Sequence, residues 1–242
     1  MTTAVWDEIA DWYDSMRSGE WGPIQNEQSL LDLIGDVSGE SVCDLACGQG
    51  VMARLLTERG AKVTGVDISE KLLEIARLYE SESPLGATYI QDNTPHLSKF
   101  PDGPFDGVVC LWTLMDIPDA EATLASVARV LRPEGWFVMC VTHPCFYSPE
   151  SSDVVDDNGV AVREVRNYFK VSFWVSNTSN PKSVRAKVGA HHRTMSAYLN
   201  AITDAGLVLE RTGEPQDVDA VTGPVAHSRP TPLTFMVRCR KA

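Results

Sequence analysis

The sequence predicts an α/β protein built on a doubly wound, mostly parallel sheet, and three observations predict it. Short apolar runs alternate with amphipathic stretches of helical period from residue 41 onward, the pattern that repeated βαβ units produce. Two of those runs end in a carboxylate, at Asp44 and at Asp67, and the first leads directly into the glycine-rich turn Ala46-Cys-Gly-Gln-Gly50. Two later runs, Phe105–Leu111 and Trp136–Thr142, are apolar almost throughout, as expected of strands covered on both faces.

Taken in order, residues 1–40 read as helical, with aromatic clusters at Trp6, Trp12-Tyr13 and Trp21. An apolar stripe of Leu30, Leu31, Leu33 and Ile34 follows, closed by Gly35. A strand over 41–46 feeds a helix over 50–59 that stops at Gly60, and Lys62–Asp67 is the next strand. Ser69 is a helix N-cap for 70–80, whose apolar face is Leu72, Leu73, Ile75, Ala76 and Leu78. A short strand at 87–90, a buried one at 105–111 and a helix over 119–131 come next. That helix is halted by Arg132-Pro-Glu-Gly135, and a buried strand covers 136–142.

The alternation breaks between Pro144 and Ala190. This stretch is polar, turns at Asp156-Asp-Asn-Gly159 as a hairpin would, and is β-rich over Tyr168–Val175. Tyr168, Phe169, Phe173 and Trp174 argue for an ordered cover over a substrate, because disordered segments are poor in aromatics. A helix over 193–204, a stop at Gly206 and strands at 207–211 and 232–240 finish the chain. Crossovers between parallel strands are right-handed, so a ligand crevice is expected beyond the carboxyl ends of the strands. The expected organisation is a single domain over 1–242: a helical lid at 1–38, a core at 40–142, the cover at 144–190, and a C-terminal helix with two strands at 191–242.

Composition narrows the function classes. With 242 residues, 43% hydrophobic, the chain can bury one substantial core. A formal net charge of −12 and the lack of any basic run argue against a nucleic-acid partner, whose phosphates need clustered Lys and Arg. The first residues, Met1-Thr-Thr-Ala-Val-Trp, do not read as a signal peptide, and no apolar run reaches membrane-spanning length. The six cysteines (43, 47, 110, 140, 145 and 239) form no C-x-x-C pair and read as reduced, packed thiols of a cytoplasmic protein, with no metal expected.

The glycine turn carries the chemistry. Gly48 and Gly50 let the backbone bend sharply and approach a ligand, and the following helix offers its N-terminal N–H groups. Alone, G-x-G is a weak signal that fits a dinucleotide site as well. Asp44 shifts the balance, since an acid just before the turn repels a pyrophosphate but suits an ammonium group. Asp67 is placed to accept from two ribose hydroxyls, and Asp92-Asn93 after the third strand from the exocyclic amine of a purine.

These segments, Asp44-Leu-Ala-Cys-Gly-Gln-Gly50, Val66-Asp-Ile-Ser69, Gln91-Asp-Asn93, Phe105-Asp-Gly-Val-Val109 and Leu131-Arg-Pro-Glu-Gly-Trp136, together resemble a class I S-adenosylmethionine-dependent methyltransferase of the small-molecule type, over roughly residues 40–142. The resemblance implies a Rossmann-like sheet of seven strands in the order 3-2-1-4-5-7-6, with the last strand antiparallel. It implies S-adenosyl-L-methionine as cofactor, with Asp67 on the ribose, Asp92 on the adenine amine, and Ile68 and Asn93 flanking the adenine. Gly48 would lie against the methionine part, with Gly50 and Ala46 in the same turn and Leu111 at the end of the fourth strand. Asp44 would sit near the α-amino group, directly or through water; Ala46 departs from the glycine often found there. The leading segment Trp6–Asp14 resembles the family's lid helix, where Tyr13 either contacts the cofactor or packs the helix on the core.

Methyl transfer from a sulfonium starts from an activated donor, so the protein's remaining task is to align the acceptor and remove its proton where it has one. His143, directly after the fifth strand, and His192, before Arg193-Thr194, are the candidate bases and acceptor contacts, each with a structural role as the alternative. Tyr168, Phe169 and Arg193 join them as candidate acceptor contacts, as does Trp112, which otherwise fills core. His191, His96 and His227 read as exposed or loop residues, and Asp116 with Asp119 as a polar turn and helix cap. The expected activity is methylation of a small, aromatic or heterocyclic metabolite of secondary or natural-product metabolism, by a monomer or homodimer. A cyclase or isomerase that uses the bound sulfonium electrostatically, and a non-catalytic binding module, are the alternatives.

Overall fold

The computed structural model describes residues 3–18, 24, 26–93, 95–177, 183–216 and 231–242; Trp21, His227 and part of the expected cover therefore lie outside the described residues. Helices α1 (Thr3–Ser18) and α2 (Glu27–Ile34) lead into β1 (Ser41–Leu45), α3 (Val51–Glu58), β2 (Lys62–Asp67), α4 (Glu70–Glu82), β3 (Thr88–Gln91) and β4 (Phe105–Leu111). Then come α5 (Ala120–Val130), β5 (Leu131–Thr142), the hairpin β6 (Ser152–Val155) and β7 (Ala161–Glu164), β8 (Ser172–Trp174) and α6 (Val184–Val188). The chain closes with β9 (Ala190–His192), α7 (Met195–Asp204), β10 (Leu207–Gly213) and β11 (Thr234–Lys241).

Seven strands form one sheet in the order β10-β11-β5-β4-β1-β2-β3. All its pairs from β3 to β5 are parallel, and β11 runs antiparallel to both β5 and β10. Numbered along the sheet's own strands this is 3-2-1-4-5-7-6, the predicted order. The period of two explains why the central strands read as continuous apolar runs. In β5, Phe137, Met139 and Val141 enter a core shared with Leu124, Val127, Ile202 and Phe235. Trp136, Val138 and Cys140 enter the opposite core with Leu30, Ile34, Met52 and Leu56.

Three local expectations change. The stop at Arg132–Gly135 becomes the first part of β5: Leu131 pairs with Phe105, the register shifts, and Trp136 pairs with Gly107. Leu78 is 54% exposed, so the buried face of α4 is narrower than its composition suggests and consists of Leu72, Leu73 and Ala76. His191 and His192 lie on β9, which pairs with β8, and Thr194 rather than Arg193 opens α7, its hydroxyl accepting from the Ala197 N–H. All six cysteines are free thiols. Among the described residues no helix is long and apolar enough to cross a membrane.

Candidate active site

β1, β2 and β3 lie in register, with Asp44 opposite Gly65 and Gly65 opposite Tyr89. Their side-chain positions therefore share one face of the sheet at the carboxyl edge. Gly65 is required there, because a Cβ would lie 2.8 Å from both the Tyr89 ring and the Cys47 sulfur. Tyr89 thus crosses β2 toward the glycine turn, where Gly50 caps α3 at a left-handed φ of 82°. A Cβ on Gly50 would stand 2.5 Å from the Tyr89 hydroxyl. Ala46 also adopts a left-handed φ, 59°, which explains why glycine would be easier at that position.

Asp67 organises the turn. Its Oδ2 accepts from the Gly48 N–H at 2.8 Å and its Oδ1 from the Ser69 N–H at 2.9 Å. Burial pushes its carboxyl up, and these two N–H groups oppose the shift. Asp44, 3% exposed, is pushed up to about 7, first by burial and further by the Asp67 charge, against an N–H contact from Ala53. Asp92 is buried but committed locally: it accepts from the Asn93 N–H at 2.7 Å, the Ser98 hydroxyl at 3.0 Å and the Lys99 N–H at 2.9 Å. Asn93 beside it is exposed, Ile68 is half-buried and receives the Gln91 side-chain amide on its carbonyl at 3.1 Å, and Leu111 packs on the core beneath.

Helix α1 lies over this half of the edge. Asp7 accepts from the Ser69 hydroxyl at 2.6 Å, and Asp14 from the Tyr79 hydroxyl at 2.8 Å, which pushes Tyr79 up to about 12 together with burial. Tyr13 reaches the turn, its ring edge 3.9 Å from where a Cβ on Gly48 would be. On the other side, the Lys187 ammonium of α6 sits 4.6 Å from the centre of the Trp12 ring.

Next to this half, a cavity of about 720 Å³ opens between the ends of β4 and β5 and the 144–190 segment. Its walls include Met115, Thr142, Tyr147, Phe173, Trp174 and His191. The 144–190 segment is fastened by a buried ion pair: Arg185 of α6 meets Asp116, in the loop after β4, through both guanidinium nitrogens. Burial pushes the Asp116 carboxyl up while Arg185 opposes it, and the pairing outweighs burial at Arg185, which stays charged. The Asp116 expectation therefore changes from a polar turn to a clamp, while Asp119 is the expected cap, accepting from the Ala122 N–H at 2.9 Å. Sequence patterns missed α6, whose five residues carry no period and whose partner lies 69 positions away.

The histidines separate by their hydrogen bonds. His143 is 1% exposed; the Cys145 N–H donates to its Nδ1 at 3.2 Å, so the proton sits on Nε2 and is given to Glu214 at 2.7 Å. Phe146 lies tilted against its ring and Phe235 meets it edge-on. This corrects the candidate base: both nitrogens are engaged, and the ring is outside the cavity wall. His192 lines the cavity, but its Nε2 is bonded to the Tyr168 carbonyl at 2.7 Å, and burial pushes it below the usual range. His191, expected to be exposed, instead lines the cavity half-buried, and among the described residues its ring forms no hydrogen bond. Its backbone N–H bonds the Met115 carbonyl at 2.7 Å, Phe173 packs on it at 5.1 Å, and burial and Arg193 push its pKa down. No sequence signal separates the two adjacent histidines; the bond of the His192 ring to the Tyr168 carbonyl does.

The remaining acceptor candidates divide. Phe169 is 87% exposed and stands away from the cavity, a correction caused by the turn before β8 pointing it to solvent. Tyr168 braces the wall from behind, its hydroxyl accepting from the Met195 N–H at 3.1 Å. Arg193 faces the cavity but is spent on the carbonyls of Leu114 (3.1 Å), Ile117 (2.7 Å) and Pro118 (2.7 Å), which shapes the loop after β4. Trp112 packs between the two cores at a left-handed φ of 60°, held by its N–H to the Cys140 carbonyl at 2.7 Å. A bulky residue there marks local strain.

Around the glycine turn, three buried polar atoms have no partner among the described residues: Asp44 Oδ2, Gln49 Nε2 and Tyr89 Oη. Asp44 Oδ2 accepts, Gln49 Nε2 donates and the Tyr89 hydroxyl can do either, a set that suits a zwitterionic ligand and disfavours a pyrophosphate. The comparisons agree. Residues 43–139 match the model of the family described as "Methyltransferase domain". A ubiquinone biosynthesis O-methyltransferase of Pseudomonas paraeruginosa is 32% identical over 128 residues, 51% of this chain and 54% of that one. One from Chromobacterium violaceum is 33% identical over 129 residues, 52% and 55%. The chain spans about half the length of these curated relatives. Among solved structures, an S-adenosylmethionine-dependent methyltransferase from Mesorhizobium loti superposes with a TM-score of 0.76 at 26% identity, covering 90% of this chain and 98% of that one. Sheet order, acid-ringed turn and matched segment converge: residues 43–139 carry a methyltransferase domain on a Rossmann-like sheet similar to that of solved S-adenosylmethionine-dependent methyltransferases.

Proposed function

We propose that this protein transfers a methyl group from S-adenosyl-L-methionine to a hydroxyl of a small, aromatic or heterocyclic acceptor held under the 144–190 segment. The observation that carries the reading is the aromatic-walled cavity at the ends of β4 and β5, on the same edge of the sheet as the acid-ringed turn. Its volume of about 720 Å³ suits a small molecule. The names of the curated relatives support an oxygen acceptor. S-adenosylmethionine, when bound, supplies a methyl group already activated on a sulfonium, which leaves the protein to position the acceptor and manage one proton.

Asp67 and Asp44 are the groups that would hold the donor's ribose and ammonium. Tyr147, Phe173 and Trp174 offer faces for a ring, and the ion pair of Arg185 with Asp116 ties that wall to the loop after β4. His191 is the group that takes the hydroxyl proton on a ring nitrogen, because burial and Arg193 favour its neutral form and, among the described residues, no hydrogen bond engages its ring. Arg193 keeps the loop after β4 in place beneath the acceptor. The whole chain acts as one domain, with no nucleic acid or membrane in its work. The test is incubation with methyl-labelled S-adenosylmethionine and a small-molecule extract of the source cell. A labelled O-methyl product with equimolar S-adenosylhomocysteine is expected; turnover of an acceptor without S-adenosylhomocysteine would instead indicate a cyclase or isomerase.

A further inference from the structure

The wall of the cavity runs against the charge of the chain. The protein has 33 Asp and Glu against 21 Lys and Arg, a formal charge of −12. Among the described residues that line the cavity the balance inverts, to four cations, Arg163, Lys170, Arg185 and Arg193, and one acid, Glu150. That acid is exposed, so water screens it. The four cations are not equivalent. Asp116 neutralises Arg185. Arg193 is 7% exposed and held by three carbonyls, with no carboxylate paired to it among the described residues, so its charge stays in the wall. The side chain of Arg163, on β7, is 8% exposed. Its Nε donates to the Phe146 carbonyl at 2.9 Å, its Nη1 to Asp153 at 3.0 Å, and its guanidinium carbon lies 4.2 Å from the centre of the Tyr147 ring. Asp153 is 61% exposed and outside the cavity wall, and Nη2 of Arg163 bonds to nothing among the described residues. Lys170 stands exposed at the mouth, its ammonium paired with no acid among the described residues. Two acceptors and a ring fix where the free guanidinium nitrogen stands, and a neutral ligand would desolvate it without compensation.

We propose that the acceptor carries a carboxylate, received by Nη2 of Arg163 and the ammonium of Lys170, so that the enzyme methylates hydroxylated ring acids in preference to their neutral counterparts. This rests on the small-molecule methylation proposed above and names its substrate class. Two separate donors match the two oxygens of a carboxylate, whereas the three oxygens and double charge of a phosphate would leave one oxygen unmet. The uncompensated charge of Arg193 deepens the preference for an anion without touching it.

The product labelled by the full chain in the cell extract supplies the first test, by passage over an anion-exchange resin at neutral pH before and after phosphatase treatment. Retention that survives the phosphatase is expected. A labelled product that flows through overturns the inference while leaving the methylation in place, and so does one whose retention the phosphatase abolishes. No labelled product at all overturns the proposed reaction instead. With the acceptor identified from that product, Lys170→Glu should raise its KM about tenfold and Lys170→Gln about threefold, more than either lowers kcat. Neither should move the affinity for S-adenosylhomocysteine beyond about twofold by calorimetry. Arg163→Gln should raise KM about tenfold, the size of one lost hydrogen bond to a charged group. Its bonds to Phe146 and Asp153 also serve the fold, so the exposed Lys170 keeps the test independent of folding. In the parent, the primary amide of the acceptor should lose about a hundredfold in kcat/KM, and Arg163→Gln should narrow that gap about tenfold. An unchanged KM in Lys170→Glu, or a parent that turns over acid and amide alike, overturns the inference.

Discussion

The two halves of the carboxyl edge are built by different means. Around Asp44 and Asp67 the site is made of backbone: a glycine turn, strand ends in register, and N–H groups of Gly48 and Ser69 given to a carboxylate 2 to 19 positions away. The half around the cavity is made of side chains that meet over long separations, such as Arg185 with Asp116 across 69 positions and His143 with Glu214 across 71. Short-range backbone geometry fixes what the first half can bind. Long-range side-chain contacts set the shape of the second half, so it can change without disturbing the first.

The contrast can be broken, or sharpened, most strongly at the clamp. Arg185→Ala leaves Asp116 buried without its partner and should cost about 3–5 kcal/mol of stability in urea unfolding, with much of it recovered when both residues become leucine. A loss under about 1 kcal/mol would mean that the cover is not fastened there. On the backbone-built side, Asp67→Ala should weaken S-adenosylhomocysteine about a hundredfold by calorimetry, or about 2.7 kcal/mol. It should also lower the melting temperature, since the Gly48 and Ser69 N–H groups lose their acceptor. Once an acceptor is in hand, His191→Gln should lower kcat up to about a hundredfold without changing donor affinity, whereas His143→Gln should act on stability and spare kcat. Reversed outcomes would return the base role to His143.

The last test is a pH trend, shallow at any one pH. Asp44 is held near 7 in the folded chain, above its ordinary value of 3.8, so the fold keeps a proton that the unfolded chain has released. Unliganded stability therefore falls as pH rises from about 4 to about 7, by at most about 1.4 kcal/mol per pH unit from this group, and Asp44→Asn should flatten that slope. Affinity for S-adenosylhomocysteine should run the other way, rising toward pH 7 as Asp44 becomes charged. Parallel slopes for the two quantities would remove Asp44 from the ammonium subsite.

The same division explains what could be read from residues alone. The core strands, the Ser69 cap and the acids at the ends of β1 and β2 were legible because strand alternation, capping and turn chemistry are properties of neighbours in sequence, whereas the order of the strands came only with the family resemblance. Leu78 misled because amphipathic period says which residues can be buried, not how wide the covered face is. Phe169 and His143 misled for a deeper reason. An aromatic ring in a β-rich insertion, or a histidine after a strand, points by a register set from across the molecule: the pairing of β8 with β9 for the first segment, the Glu214 contact for the second. Arg193 looked like a substrate contact because nothing local shows that three carbonyls of another loop already claim its guanidinium.

Helix α1 belongs to neither half and touches both, through Asp7 and Asp14 to α4 and through Trp12 to Lys187 of α6. One short helix is thus the splice between the two halves, so a change that loosens its seat on α4 also slackens its hold on α6.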